Sequence, residues 1–98
     1  SIYRGNFAGG ERDGRGLLET ADGFRYDGMW RAGRIDGDGV AVYPGGDVYQ
    51  GQFVNGRREG RGRLLYEDGS IAAGLWRDDL LIEREDIPDT DPEEAPGG

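Results

Sequence analysis

The sequence predicts an all-β fold, an elongated single-layer antiparallel meander of stacked β-hairpins with about seven strands. Three observations carry that expectation. The chain superposes on itself at a period of 23 residues: Tyr3, Gly5, Phe7, Gly10, Gly14, Gly16 and Gly23 become Tyr26, Gly28, Trp30, Gly33, Gly37, Gly39 and Gly46, then Tyr49, Gly51, Phe53, Gly56, Gly60, Gly62 and Gly69. A fixed period of that length means one small unit stacked on copies of itself. Within each unit, alternating side chains read as two strands separated by turn-forming residues. Finally, 20 of the 98 residues are glycine and only 35% are hydrophobic, a composition poor for a compact core and suited to a stacked array.

In the first unit, 3–25, Ile2 to Phe7 forms a strand that puts Tyr3, Gly5 and Phe7 on one face. Ala8 to Asp13 is the reversal, with Gly10 free to take positive φ. Gly14 to Ala21 returns, and Asp22-Gly23 makes a two-residue hairpin turn. The second unit, 26–48, reverses around Ala32 to Asp36 and closes with Gly45-Gly46; the third, 49–71, reverses around Val54 to Glu59 and closes with Asp68-Gly69. A partial unit, 72–77, supplies a seventh strand without a partner arm. Asp79 then stands where glycine is due, and Glu83 and Glu85 replace the next glycine pair, so the repeat is expected to end there.

Residues 1–77 thus form the repeat sheet. Leu80, Leu81 and Ile82, in the stretch 78–85, are expected to fold back as a cap over the last strand, with surrounding carboxylates discouraging another chain from pairing there. From 86 to 98, acids spaced by Pro88, Pro92 and Pro96 read as a disordered acidic tail. Residues 78–98 hold nine acids against Arg84 alone, which is the entire net charge of −8; residues 1–77 balance eleven acids with eleven arginines. That distribution argues against nucleic acid as a partner, which needs a clustered basic footprint. No Cys or His is present, which removes disulfides, thiolate metal sites and the commonest general base. Because the chain begins inside a repeat, it is expected to be a fragment, and its localisation is left open.

The Tyr-x-Gly-x-Trp/Phe signature at Tyr3-Gly5-Phe7, Tyr26-Gly28-Trp30 and Tyr49-Gly51-Phe53, with the trailing glycines, resembles the MORN (membrane occupation and recognition nexus) repeat. The resemblance covers residues 2–77. It implies a twisted sheet of stacked hairpins used as a binding or scaffolding module, in a family that includes membrane-junction and cytoskeletal scaffolds and accessory regions of lipid kinases. The position before the GxG glycines, often His or basic in the family, is Asp13, Asp36 and Glu59 here, which argues against anionic-lipid binding through that row.

Two surfaces are candidate sites. The first is an aromatic groove lined by Tyr3, Phe7, Tyr26, Trp30, Tyr49, Phe53 and Trp76, joined on the same face by Tyr43 and Tyr66; such rings give large contact area at small entropy loss, and the same rings are also the obvious core of a one-layer sheet. The second is a basic edge of Arg57, Arg58, Arg61 and Arg63, able to meet a phosphate or an anionic headgroup, or to be neutralised by local acids or the tail. Asp13, Asp36 and Glu59 should stack about 10 Å apart, two strand spacings, too far to share a metal, and read as an Arg-paired ladder. With no His to activate Ser1 or Ser70 and no Lys after a glycine loop, the sequence offers no catalytic or cofactor machinery. The expected function is a non-catalytic interaction module for a protein or peptide partner. Alternatives are peripheral binding to anionic phospholipid and an accessory region of a larger enzyme resembling a phosphatidylinositol phosphate kinase. The open sheet edges predict a weak tendency to dimerise.

Overall fold

The computed structural model describes residues 1–85; the expected acidic tail, 86–98, lies outside the described residues. Eight strands follow one another in chain order across one antiparallel sheet: β1 (Ile2–Ala8), β2 (Glu11–Glu19), β3 (Arg25–Arg31), β4 (Arg34–Val42), β5 (Val48–Val54), β6 (Arg57–Leu65), β7 (Ile71–Arg77) and β8 (Leu80–Arg84). The meander is as predicted, with one strand more. Leu80 to Arg84 do fold back, but as a strand hydrogen-bonded to β7 rather than as a cover over it, so β7 has a hairpin arm after all.

The two kinds of turn are exchanged relative to the sequence expectation. The tight two-residue turns are Gly9-Gly10, Ala32-Gly33, Asn55-Gly56 and Asp78-Asp79, each with positive φ at both central residues, the mirror-image geometry that matches strand twist. Asp79, at φ 70°, adopts the left-handed backbone that glycine has in the earlier units. The repeat therefore continues through this turn. The Asp-Gly ends are three-residue loops instead. Thr20 N–H donates to Phe24 O (2.9 Å) and Gly23 N–H to Thr20 O (3.2 Å), a pattern repeated at Tyr43–Asp47 and Tyr66–Ser70, with the glycine in positive φ closing the loop as a bulge.

A row of glycines crosses seven strands in register: Gly5, Gly16, Gly28, Gly39, Gly51, Gly62 and Gly74 each face the next. The row exists because the rings need it. A Cβ on Gly16, Gly39 or Gly62 would land inside the phenol of Tyr3, Tyr26 or Tyr49, respectively. Each of these hydroxyls donates to the carbonyl three residues on, at Asn6 (2.8 Å), Met29 (2.9 Å) and Gln52 (3.2 Å), which pins the ring flat across the neighbouring strand. At Gly74, a Cβ would collide with the carbonyl of Glu83, so the eighth strand also depends on a glycine.

The core lies within the single layer. Edge-to-face contacts run Phe7–Tyr3–Trp30–Tyr26–Phe53–Tyr49–Trp76, with centroids 5.1–5.5 Å apart. Such pairs contribute about 0.5–1.5 kcal/mol each beyond burial. The contacts alternate between one repeat's own hairpin and the next repeat, so the stack joins the units. Trp30 and Trp76 add indole N–H bonds to Gly16 O (3.1 Å) and Gly62 O (3.0 Å). Ala41, Leu64 and Ala72 fill the remainder.

Candidate functional site

The structure divides the seven rings of the expected groove unevenly. Tyr26, Trp30, Tyr49, Phe53 and Trp76 are all 4% exposed or less, held by the glycine row beneath and by one another. They are core, and a partner can touch them only at their margins. Tyr3 is half-buried and Phe7 is 61% exposed, both on the edge strand β1. Of the further residues placed on this face, Tyr43 packs against Phe24 (5.7 Å), while Tyr66 stands exposed at a loop and joins no ring contact among the described residues. Burial pushes the Tyr26 and Tyr49 phenols up to about 12, and raises Tyr43 as well.

The four arginines of the expected basic edge do not share one surface. Arg58 lies on the aromatic face with its side chain 19% exposed. Its guanidinium carbon sits 5.0 Å from the Trp76 ring centroid and 5.7 Å from those of Tyr43 and Tyr49. Arg57, Arg61 and Arg63 alternate with it onto the opposite face. Arg57 pairs with Asp78 (3.3 Å) and Arg61 with Glu85, both exposed pairs of the kind worth little singly. Arg63 makes no ion pair among the described residues.

The carboxylate row has a different task from the one expected. Asp13, Asp36 and Glu59 accept hydrogen bonds from the backbone of the following repeat's tight turn: Ala32 N–H (3.2 Å), Asn55 N–H (3.2 Å) and Asp78 N–H (3.1 Å). The second turn residue donates alongside, from Gly33 to Arg12 O, Gly56 to Ile35 O and Asp79 to Arg58 O. The row is not paired with arginine because it staples consecutive turns. An acid suits this task, since the partners are N–H donors.

Sequence reasoning missed Arg12. It stands half-buried on the aromatic face, 5.1 Å from the Trp30 centroid and 5.2 Å from that of Tyr3. The available signal was the period: Arg12 and Arg58 lie two repeats apart, and either one, placed on the ring face, places the other.

The opposite face carries a shallow open trough of about 510 Å³ over the glycine row, lined among others by Arg15, Asp27, Met29, Asp38 and Gln50. Among the described residues no group of acids is arranged to hold a metal ion.

A sheet whose hairpins carry their own core, and whose cavities are open troughs, defines a β-repeat module that works through its surfaces. The MORN repeat matches residues 3–25, 26–48 and 49–71, and the chain belongs to the MORN repeat family. These repeats are interaction and scaffolding modules, without catalytic groups of their own. No curated protein matches the chain.

Proposed function

We propose that this sheet is a non-catalytic docking platform for a protein or peptide partner. The observation that supports it best is the one-layer core. Because the rings stack within the sheet and, among the described residues, no second layer is packed on it, the opposite face, the margins of the ring face and the β1 edge are open to a partner. The ring stack and the turn staples order the platform before a partner arrives, which lowers the ordering cost of binding one. The test uses a partner captured by cross-linking to the full chain, whose affinity is then measured against Phe7→Ser, Arg12→Gln and Arg63→Glu, with the melting of each variant measured beside it because Phe7 and Arg12 also contact the first rings of the stack. Loss of affinity on one face identifies the docking surface. Unchanged affinity for variants on both faces and at the edge would overturn the reading.

Peripheral attachment to anionic phospholipid is the second reading, and it has less support. Three of the four arginines it relies on already have acid partners in Asp78, Asp79 and Glu85, which lowers the net positive charge they present to a membrane. Service as an accessory region of a larger enzyme is compatible with the docking role and is decided by the parent reading frame.

A further inference from the structure

We propose that Arg12 is the docking point for a carboxylate presented by an acidic peptide segment of a partner protein. The proposal rests on the docking reading above and gives that partner a chemistry. It comes from comparing one slot across the repeats. Arg12, Ile35, Arg58 and Leu81 occupy equivalent positions and register against Phe7, Trp30, Phe53 and Trp76. Two of the four are arginines, and both guanidiniums lie on aromatic rings.

They differ in what meets the charge. Arg58 is closed by Asp79: its Nε lies 3.6 Å from Asp79 Oδ1, its Nη2 donates to Asp79 O at 2.9 Å, and its backbone N–H donates to the same carboxylate at 2.9 Å. The residue in the place of Asp79 beside Arg12 is Gly33. Arg12 makes no ion pair and its guanidinium donates no hydrogen bond among the described residues. A Cβ at Gly33 would meet nothing nearer than Glu11 Oε2 at 3.9 Å, and Glu11 itself stays outside ion-pair distance of Arg12. The volume that an acid fills in one copy of the slot is open in the other.

A guanidinium laid against an indole keeps its planar fork free on the outer side, with N–H donors spaced for a carboxylate. The rings behind it attract the cation and shed water from one flank. In the filled copy an aspartate meets the guanidinium with both its groups, the carboxylate oxygen as an ion pair 3.6 Å from Nε and the main-chain carbonyl as acceptor from Nη2, so the ligand for the open copy is a carboxylate carried on a peptide. Phe7, exposed and directly across from Arg12 in the β1–β2 register, offers an apolar contact to a residue beside that acid.

The two tryptophans lie one under each arginine, so their indole N–H resonances report the two slots separately. The probe is capped hexaglutamate, with capped hexaglutamine as the uncharged control and inorganic phosphate as a second anion. It is titrated into the 98-residue chain with Asp86, Asp89, Asp91, Glu93 and Glu94 changed to Asn or Gln, so that the side-chain carboxylates of 86–98 do not enter the comparison. The Trp30 resonance is expected to move with hexaglutamate alone while Trp76 stays in place. Arg12→Gln should weaken the interaction about tenfold, the scale of one charge-assisted hydrogen bond. Gly33→Asp should abolish the Trp30 response by filling the slot from within, as Asp79 does. A Trp30 response of undiminished affinity in Arg12→Gln, one equally large at Trp76, or none at all overturns the proposal; a response to phosphate but not to hexaglutamate overturns the carboxylate assignment. If hexaglutamate fails while a captured partner still depends on the sheet surface, this inference alone falls. If the partner's affinity is also indifferent to the surface variants, the docking reading falls with it.

Discussion

Each repeat opens with a tyrosine that lies flat over a glycine of the next strand, and this pair of residues sets the tolerance of the sheet to mutation. Gly62→Ala drives a methyl group into the Tyr49 phenol and is expected to cost about 2–3 kcal/mol in chemical denaturation. Gly45→Ala, where a Cβ meets open space at ordinary φ, should stay within about 0.5 kcal/mol. The chain contains its own control. Ala72 stands where the fourth tyrosine is due, and Glu85 stands where the glycine under its ring would be, so the ring and the bare backbone beneath it are lost together. Tyr49→Ala combined with Gly62→Ala is therefore expected to be less destabilising than the sum of the single changes, and a double-mutant cycle measures that coupling. The buried phenols also fix the alkaline limit of stability. Tyr26 and Tyr49 are held protonated up to about 12, against 10.0 when unfolded. Between those values the folded state binds more protons than the unfolded one, so stability is fully present below pH 10 and declines as pH rises towards 12. Tyrosinate absorbance should appear together with loss of the sheet. Two separate transitions would contradict the assignment.

At the scale of the element, the last hairpin depends on two aspartates taking glycine-like backbone. The left-handed conformation costs about 1 kcal/mol or more for a residue with a Cβ; Asp79 offsets it by accepting the Arg58 backbone N–H and pairing with its guanidinium. Asp79→Ala keeps the Cβ and removes that compensation, leaving a largely buried guanidinium without its acid, and should lower stability by about 1–2 kcal/mol. Asp79→Gly, which relieves the backbone while losing the same pair, should cost less. The period, the hairpins and the ring face were legible in the sequence because glycine and aromatic spacing encode them directly. The eighth strand was not, since its turn lacks glycine and the aspartate in its place, Asp79, discloses its role only through Arg58, twenty-one residues earlier. The exchange of turn types had a similar cause. Asp22-Gly23 and Asp68-Gly69 have the composition of two-residue turns, but their flanking residues pair so as to leave three residues in the loop. For the candidate site, alternation placed the rings correctly and could not say that neighbouring rings would cover one another, nor that Arg58 turns onto that face while Arg57 turns away.

The whole molecule is an open sheet, and its two edges differ. β1 offers unpaired backbone with Ile2 and Phe7 exposed, whereas β8 carries Glu83 and is followed by Glu85, with Ile82 in the place of the acid that staples each successive turn. A copy added to β8 would find no staple for its first turn. Association is therefore expected to stop at pairs formed through β1 rather than extend into filaments. Sedimentation velocity across a concentration series should show a weak dimer and nothing larger. Ring-closed or fibrous species would contradict this, and monomer alone at high concentration would remove the β1 pairing. Towards membranes, the acid-paired arginines predict no retention on anionic vesicles at physiological salt, a result that co-sedimentation of the full chain can check.

The order of the strands has a mechanical consequence. Because β1 and β8 are the first and last strands of an unbroken meander, tension applied through the two ends acts across the strands and loads one row of hydrogen bonds at a time, as when a zipper is drawn. The ring stack, whose every second contact bridges two repeats, resists in steps. Pulled in a force spectrometer, the molecule should yield at low force, hairpin by hairpin, each event paying out roughly 75–85 Å of chain for 23 residues. Strands that re-pair once the load is removed, read as recovery of the same steps on a second pull, are the expected outcome.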